Sequence, residues 1–140
     1  MVRILSGVMM AALVVALVAG CATVKGPSPE EQIKQTISDW TAATVAKDVD
    51  KMMTFVDEDF SSSEWPDKDA YKTFVADSVE MGYLDDLEVS TENAKITFEG
   101  EDKATVYPID ITAQFGTATL NVVLEEEDGK WLISDVTMDM

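Results

Sequence analysis

Histidine is missing from this 140-residue chain, and arginine occurs once, as Arg3. Without histidine there is no side chain that ordinarily titrates near neutral pH, and the commonest transition-metal ligand is gone. Without arginine beyond position 3 there is no bidentate clamp for a phosphate or a carboxylate in the body of the chain. The single cysteine, Cys21, rules out an intramolecular disulfide, and with no histidine beside it a Cys/His zinc site is excluded. Positive charge is scarce as well: 10 Lys+Arg stand against 27 Asp+Glu, a formal charge of −17. Such a balance opposes nucleic acid and anionic head groups and favours solubility. We expect no nucleic-acid partner and no cofactor.

What is present begins with an apolar run. Arg3 and the terminal amine make a short positive start, and Ile4 to Ala19 is apolar. That run is shorter than the roughly 18 to 20 residues that span a bilayer as a helix. It ends in the small residues Ala19 and Gly20, as a secretory cleavage site requires. Cys21 follows directly, and Val18-Ala19-Gly20-Cys21 resembles the lipobox of bacterial lipoproteins, with valine where leucine is more usual. The resemblance implies a signal peptide over residues 1–20 and a lipidated Cys21 as the processed N-terminus. It also implies a lipid membrane as partner through that acylated residue. Ala22 in place of aspartate implies, by the enterobacterial sorting pattern, an outer-membrane anchor facing the periplasm rather than an inner-membrane one. Removing residues 1–20 leaves one domain's worth of chain, able to bury about two-thirds of its unfolded surface without a disulfide or metal staple. Residues 21–28 hold Gly26, Pro27 and Ser28 and show no apolar periodicity, so they read as a tether of on the order of 25 Å when extended.

The domain, residues 29–140, opens on helical signals. Ser28 is a suitable N-cap, Pro29 fits the first helical position, and Glu31 completes a capping box. Ile33, Ile37, Trp40 and Thr44 recur at helical spacing. Asp48 is placed to cap a second, short helix with Met52, Met53 and Val56 as apolar contacts. Asp67 is placed to cap a third, with Tyr71, Phe74, Val75 and Ser78 on one face and Gly82 at its end. From Leu87 the period becomes two, with Leu87, Val89 and Thr91, then Ala94, Ile96 and Phe98. In the longest strand Thr105, Tyr107, Ile109, Ile111, Ala113 and Phe115 are expected on one face, with Val106, Pro108 and Asp110 on the other. Ala118, Leu120, Val122 and Leu124 line the next strand, Asp128-Gly129 is a hairpin turn, and Trp131 and Ile133 share a face of the last. The fold class is therefore α+β: three N-terminal helices packed on a curved antiparallel sheet of four strands or more.

This order resembles the nuclear transport factor 2-like superfamily, a cone-shaped, cystatin-like α+β fold that includes SnoaL-like proteins and ketosteroid isomerases. The likeness is carried by Trp40 to Phe60, by Asp67 to Val75 and by Gly129-Lys130-Trp131-Leu132-Ile133. The resemblance implies a pocket between sheet and helices, and a second sheet face often used for homodimer contact. The superfamily's histidine-dependent dehydratases and Asp-Arg-Asp epoxide hydrolases have no counterpart here, because the required histidine and arginine are missing.

Candidate residues divide accordingly. Trp40, Tyr71, Phe74, Tyr107 and Phe115 are candidate pocket lining, although the same residues could simply fill a core, and the two roles share walls. Asp39 reads as a solvated carboxylate. Asp110 falls opposite Tyr107 and should not reach the pocket in a regular strand. Asp135, two residues after Ile133, could point inward at the strand end, and an inward carboxylate in an apolar pocket could serve as a base; a bulge or an exposed end there would leave it outside. The acidic runs at 48–50, 57–59, 85–86 and 125–128 lack the ligand alternation and turn glycine of a calcium loop and read as caps and solvated turns. Met52, Met53 and Met81 fit helix packing. These features lead us to expect an envelope lipoprotein whose domain binds a small apolar ligand or another protein without catalysis. Two alternatives stand: an isomerase- or dehydratase-like enzyme with an Asp or Glu buried beside Tyr71 or Tyr107, and an accessory subunit of an envelope complex.

Overall fold

A computed structural model describes residues 26–140 of the chain. Cys21, the segment 1–20 and residues 22–25 of the tether lie outside the described residues. Three helices come first: α1 (Pro29–Val45), α2 (Val49–Met53) and α3 (Lys68–Glu80). Each starts where a polar side chain takes up orphan N–H groups. Glu31 N–H donates to Ser28 Oγ at 3.2 Å, Lys51 N–H to Asp48 Oδ1 at 3.2 Å, and Ala70 N–H to Asp67 Oδ1 at 2.8 Å. Past the end of α3, Gly82 takes φ +78°, the left-handed conformation that lets the chain turn away.

Five strands follow: β1 (Glu88–Ser90), β2 (Lys95–Phe98), β3 (Lys103–Ala113), β4 (Gly116–Glu127) and β5 (Lys130–Asp139). All pair antiparallel in one sheet of order β1-β3-β4-β5, and β2 also pairs with β3. β1 and β2 share one edge of β3, β1 opposite residues 110–112 and β2 opposite residues 104–107. The β4–β5 turn has positive φ at both Asp128 (51°) and Gly129 (81°), the type I′ signature that matches strand twist. The segment after α2 runs along the free edge of β5. Asp57 N–H donates to Ile133 O and Ile133 N–H to Phe55 O, both at 2.8 Å, which leaves that stretch of edge paired.

The core lies between the helices and one sheet face, with Ile33, Met52, Phe60, Ile109, Val122, Leu124, Trp131, Ile133 and Val136 almost wholly buried. α1 contributes Ile33, Ile37, Trp40 and Ala43, and Thr36 Oγ1 on the same helix donates to Trp131 O at 3.0 Å. Two β-bulges change which residues reach this core. Between the pairs Val106↔Val122 and Ile109↔Leu120, β3 has two residues and β4 one. Pro108 has no N–H to give to the ladder, so a bulge at this position leaves no donor unpaired. The alternation therefore reverses: Ala104 and Val106 face inward before the bulge, Ile109 after it, and Tyr107 is turned out. This corrects the regular alternation expected from the sequence, which put Tyr107 inside and Val106 outside. In β5 the pairing steps from Leu124↔Ile133 to Val123↔Asp135, so Ser134 is the extra residue. Trp131 and Ile133 point inward before it, and Val136 after it.

Candidate functional site

The sheet and helices do not close completely on each other. A cavity of about 490 Å³ lies between them, within the range of small-molecule pockets. Trp40 and Thr44 of α1, Met52 of α2, Trp65, and Tyr71, Val75 and Ser78 of α3 form the helical wall. Ile111, Leu120, Val136 and Met138 form the sheet wall, and Leu84, Leu87 and Val89 close one side. Phe74, Met81, Tyr83 and Met140 also line it and are exposed at 42%, 65%, 50% and 82%, so the mouth is apolar and open to water.

Four of the five residues proposed from the sequence come together here: Trp40, Tyr71, Phe74 and Phe115 all line the cavity. Tyr107 does not; it is 48% exposed on the opposite side of the sheet, because the β3 bulge rotates it out. Met81, expected in helix packing, is instead an exposed mouth residue. Trp65 was not singled out in the sequence, yet it organises the site. Its ring packs on Tyr71 at 5.0 Å and on Phe74 at 4.8 Å between centroids, and Phe60 also stacks on Tyr71, at 5.0 Å and 20°. The available signal was a tryptophan set in a polar loop between Glu64 and Pro66, a ring too large to leave in water without a partner.

The polar atoms of the cavity are few, and most are spent. Thr44 Oγ1 donates to Trp40 O at 2.8 Å, Ser78 Oγ to Phe74 O at 2.8 Å, and Thr41 Oγ1 to Ser38 O at 3.0 Å. Trp40 is 3% exposed, and its Nε1–H has no acceptor. The Tyr71 hydroxyl lies beside that indole, although no hydrogen bond of normal geometry joins them. Burial pushes the Tyr71 phenol well above its ordinary range, and the neighbouring Trp40 N–H tempers the shift. Tyr71 is therefore a neutral hydroxyl at any physiological pH. The cavity lining includes no lysine, and its one side-chain carboxylate, Asp77, is an exposed residue.

The other carboxylates sit elsewhere. Asp135 pairs with Val123, which alternates with the buried Val122 and Leu124, so both point to the outer sheet face. Desolvation there raises the Asp135 pKa; Lys103 pulls it back and Glu64 pushes it up. Asp110 accepts from Thr119 Oγ1 at 3.1 Å. Asp39 accepts from Gln35 Nε2 at 2.9 Å on the flank of α1. Asp57, the buried carboxylate among the described residues, is outside the cavity lining and accepts from Asp59 N–H at 2.7 Å. Hydrogen bonding to Asp57 and that residue's charge raise the pKa of exposed Glu127. Among the described residues, then, no carboxylate is buried beside Tyr71 or Tyr107, and no group of three or more acidic or cysteine side chains is placed to hold a metal ion.

No protein-family model matches this chain, and no curated protein is significantly similar to it in sequence. Solved structures share its fold. A protein of unknown function with a cystatin-like fold from Nostoc punctiforme aligns with TM-score 0.64 at 13% identity, over 78% of this chain and 88% of that one. A nuclear transport factor 2-like protein of unknown function from Shewanella oneidensis aligns with TM-score 0.64 at 16% identity, over 79% and 98%. A putative calcium/calmodulin-dependent protein kinase II association domain from Xanthomonas campestris gives TM-score 0.60 at 15% identity, over 80% and 87%. At these identities the likeness is one of fold alone: the domain has the α+β fold of nuclear transport factor 2-like and cystatin-like proteins, as its sequence suggested.

Proposed function

We propose that this chain is a lipid-anchored protein of the bacterial envelope whose domain takes up a small apolar ligand and does no chemistry on it. The observation that carries the binding half is the cavity of about 490 Å³, walled by aromatic and aliphatic side chains and open through an apolar mouth. An acid–base reaction would need a proton-transfer group beside the ligand. The described lining offers a neutral phenol, hydroxyls already bonded to their own helices, and one side-chain carboxylate, Asp77, which is exposed to water rather than enclosed beside a ligand. The anchoring half rests on the sequence Val18-Ala19-Gly20-Cys21 and the Pro/Gly tether behind it. An outer-membrane site facing the periplasm follows from Ala22. Native mass spectrometry on the full protein, extracted gently from its own envelope, tests the binding half. A discrete added mass of a few hundred daltons is expected, and a consistently bare mass would turn the reading toward protein interaction.

A second reading is supported by the outer sheet face. Tyr107 is half exposed there, and Val123 and Leu132 are incompletely buried. That face could carry a homodimer or dock the domain as an accessory subunit of a larger envelope assembly. The fold is shared with a protein described as an association domain. Co-purification after detergent extraction separates a heteromeric partner from self-association.

A further inference from the structure

We infer that the cavity selects an amphiphile with a cationic head: an apolar body enclosed between sheet and helices, and an ammonium held at the mouth beside Asp77. The inference rests on the proposed ligand-binding reading and deepens it by naming the charge of the ligand's head.

Three observations carry it. The first is the stripe Phe74, Asp77 and Met81, at helical spacings of three and four along α3, all lining the cavity. Asp77 is exposed there and has no ion-pair partner among the described residues. The second is where two helices end. Thr44 is the last residue but one of α1, Met81 caps α3, and both line the cavity. A helix C-terminus carries partial negative charge that favours a cation, and neither helix has a basic residue in its last turn. The third is aromatic. Phe74 and Tyr83 are exposed at the same mouth, and an ammonium is attracted to the face of such a ring.

Positive charge does not offset this. Among the described residues no basic side chain lines the cavity, and Lys47, just past the end of α1, is engaged by Asp85. An anionic head, as on a fatty acid or a phosphate ester, would meet Asp77, two negative helix ends and a chain charge of −17 without a counter-charge. A cationic head meets complementary charge and keeps part of its hydration at the open mouth, so only the apolar body has to leave water.

The test uses the full chain in nanodiscs of zwitterionic phospholipid, with empty discs as the blank, and equilibrium dialysis of three probes: naphthylmethyl-trimethylammonium, naphthylmethanol and naphthylacetate. They share a bicyclic body and differ in the charge of the head. We expect the ammonium to bind tightest and the acetate weakest. Asp77→Asn should weaken the ammonium about 2- to 5-fold, the range of an exposed ion pair, and leave the alcohol unchanged. Glu101→Gln, in the turn between β2 and β3 and outside the lining, removes the same charge and should leave the ammonium unchanged. Added salt should narrow the gap between ammonium and alcohol. If Asp77→Asn acts no more strongly than Glu101→Gln, or if the alcohol or the acetate binds tightest, the cationic-head inference is wrong while the apolar cavity stands. If no probe binds, the inference falls, and if the native mass is also bare, the ligand-binding reading falls with it.

Discussion

Phe60 and Phe74 both contact the aromatic cluster at Tyr71, yet they should respond very differently to truncation. Phe60 is 2% exposed and stacked on Tyr71, so Phe60→Ala removes a full ring's transfer energy and leaves an enclosed void. Phe→Ala at such a position costs about 3–5 kcal/mol. Phe74 is 42% exposed at the mouth, so somewhat over half of the roughly 1.5–3 kcal/mol of a fully buried side chain is at stake. Its removal opens onto water rather than sealing a void, so no cavity cost is added, and we expect about 1 kcal/mol. For a domain of this size, about 3–5 °C of melting temperature accompanies each kcal/mol. Phe60→Ala should therefore melt about 10–25 °C lower, and Phe74→Ala only about 3–5 °C lower. The assay is thermal unfolding by circular dichroism, paired with ligand retention by native mass spectrometry. Phe74→Ala should lose bound mass despite its near-normal stability. A Phe74→Ala melting temperature as low as that of Phe60→Ala would show that the mouth is closed in solution and that the space behind it is core.

Cys21→Ala should move the protein from the membrane fraction to the soluble one with no change in melting temperature; retention at the membrane would refute lipid anchoring. Asp135 has its pKa raised by desolvation, so its contribution to stability is present in acid and lost as pH rises through its folded-state pKa, above the ordinary carboxylate range. Asp135→Asn should therefore raise the melting temperature at neutral pH and have no effect in acid below that range, and an equal effect at both pH values would contradict the assignment. On the homodimer reading, Tyr107→Glu on the outer face should convert a dimer at tens of micromolar to a monomer in sedimentation, and a wild-type monomer at that concentration would end that reading.

Much of the architecture was legible because local chemistry and global packing agree. Ser28, Asp48 and Asp67 cap helices in the structure as their positions suggested, and Asp128-Gly129 makes its turn. The candidate site was legible in part, because Trp40, Tyr71 and Phe74 lie on helices whose period of 3.6 the sequence displays. Tyr107 was misplaced because strict alternation carries a residue through a bulge as though none were there. Trp65 was missed because no periodicity marks a loop residue, and its burial is decided by Tyr71 and Phe74, distant from it only by the start of one helix.

The bulges could have been read from the apolar pattern itself, and they matter for more than register. Ala104 and Val106 give way to Ile109 and Ile111, and Trp131 and Ile133 give way to Val136 and Met138; in each strand the apolar parity flips once, where the extra residue sits. Those flips divide the sheet's inner face. On one side lie Ala104, Val106, Val122, Leu124, Trp131 and Ile133, all buried and none lining the cavity. On the other lie Ile111, Leu120, Val136 and Met138, which form its sheet wall. A bulge bends its strand and adds local twist, and the two bulges, on the strands flanking β4, lie where the sheet passes from one half to the other. The first half is filled by core side chains, and the second leaves room for a ligand. The same parity flip in β5 sends Asp135 to the outer face and brings Val136 inward. The bulge that brings Val136 into the cavity wall thus also keeps a carboxylate out of it.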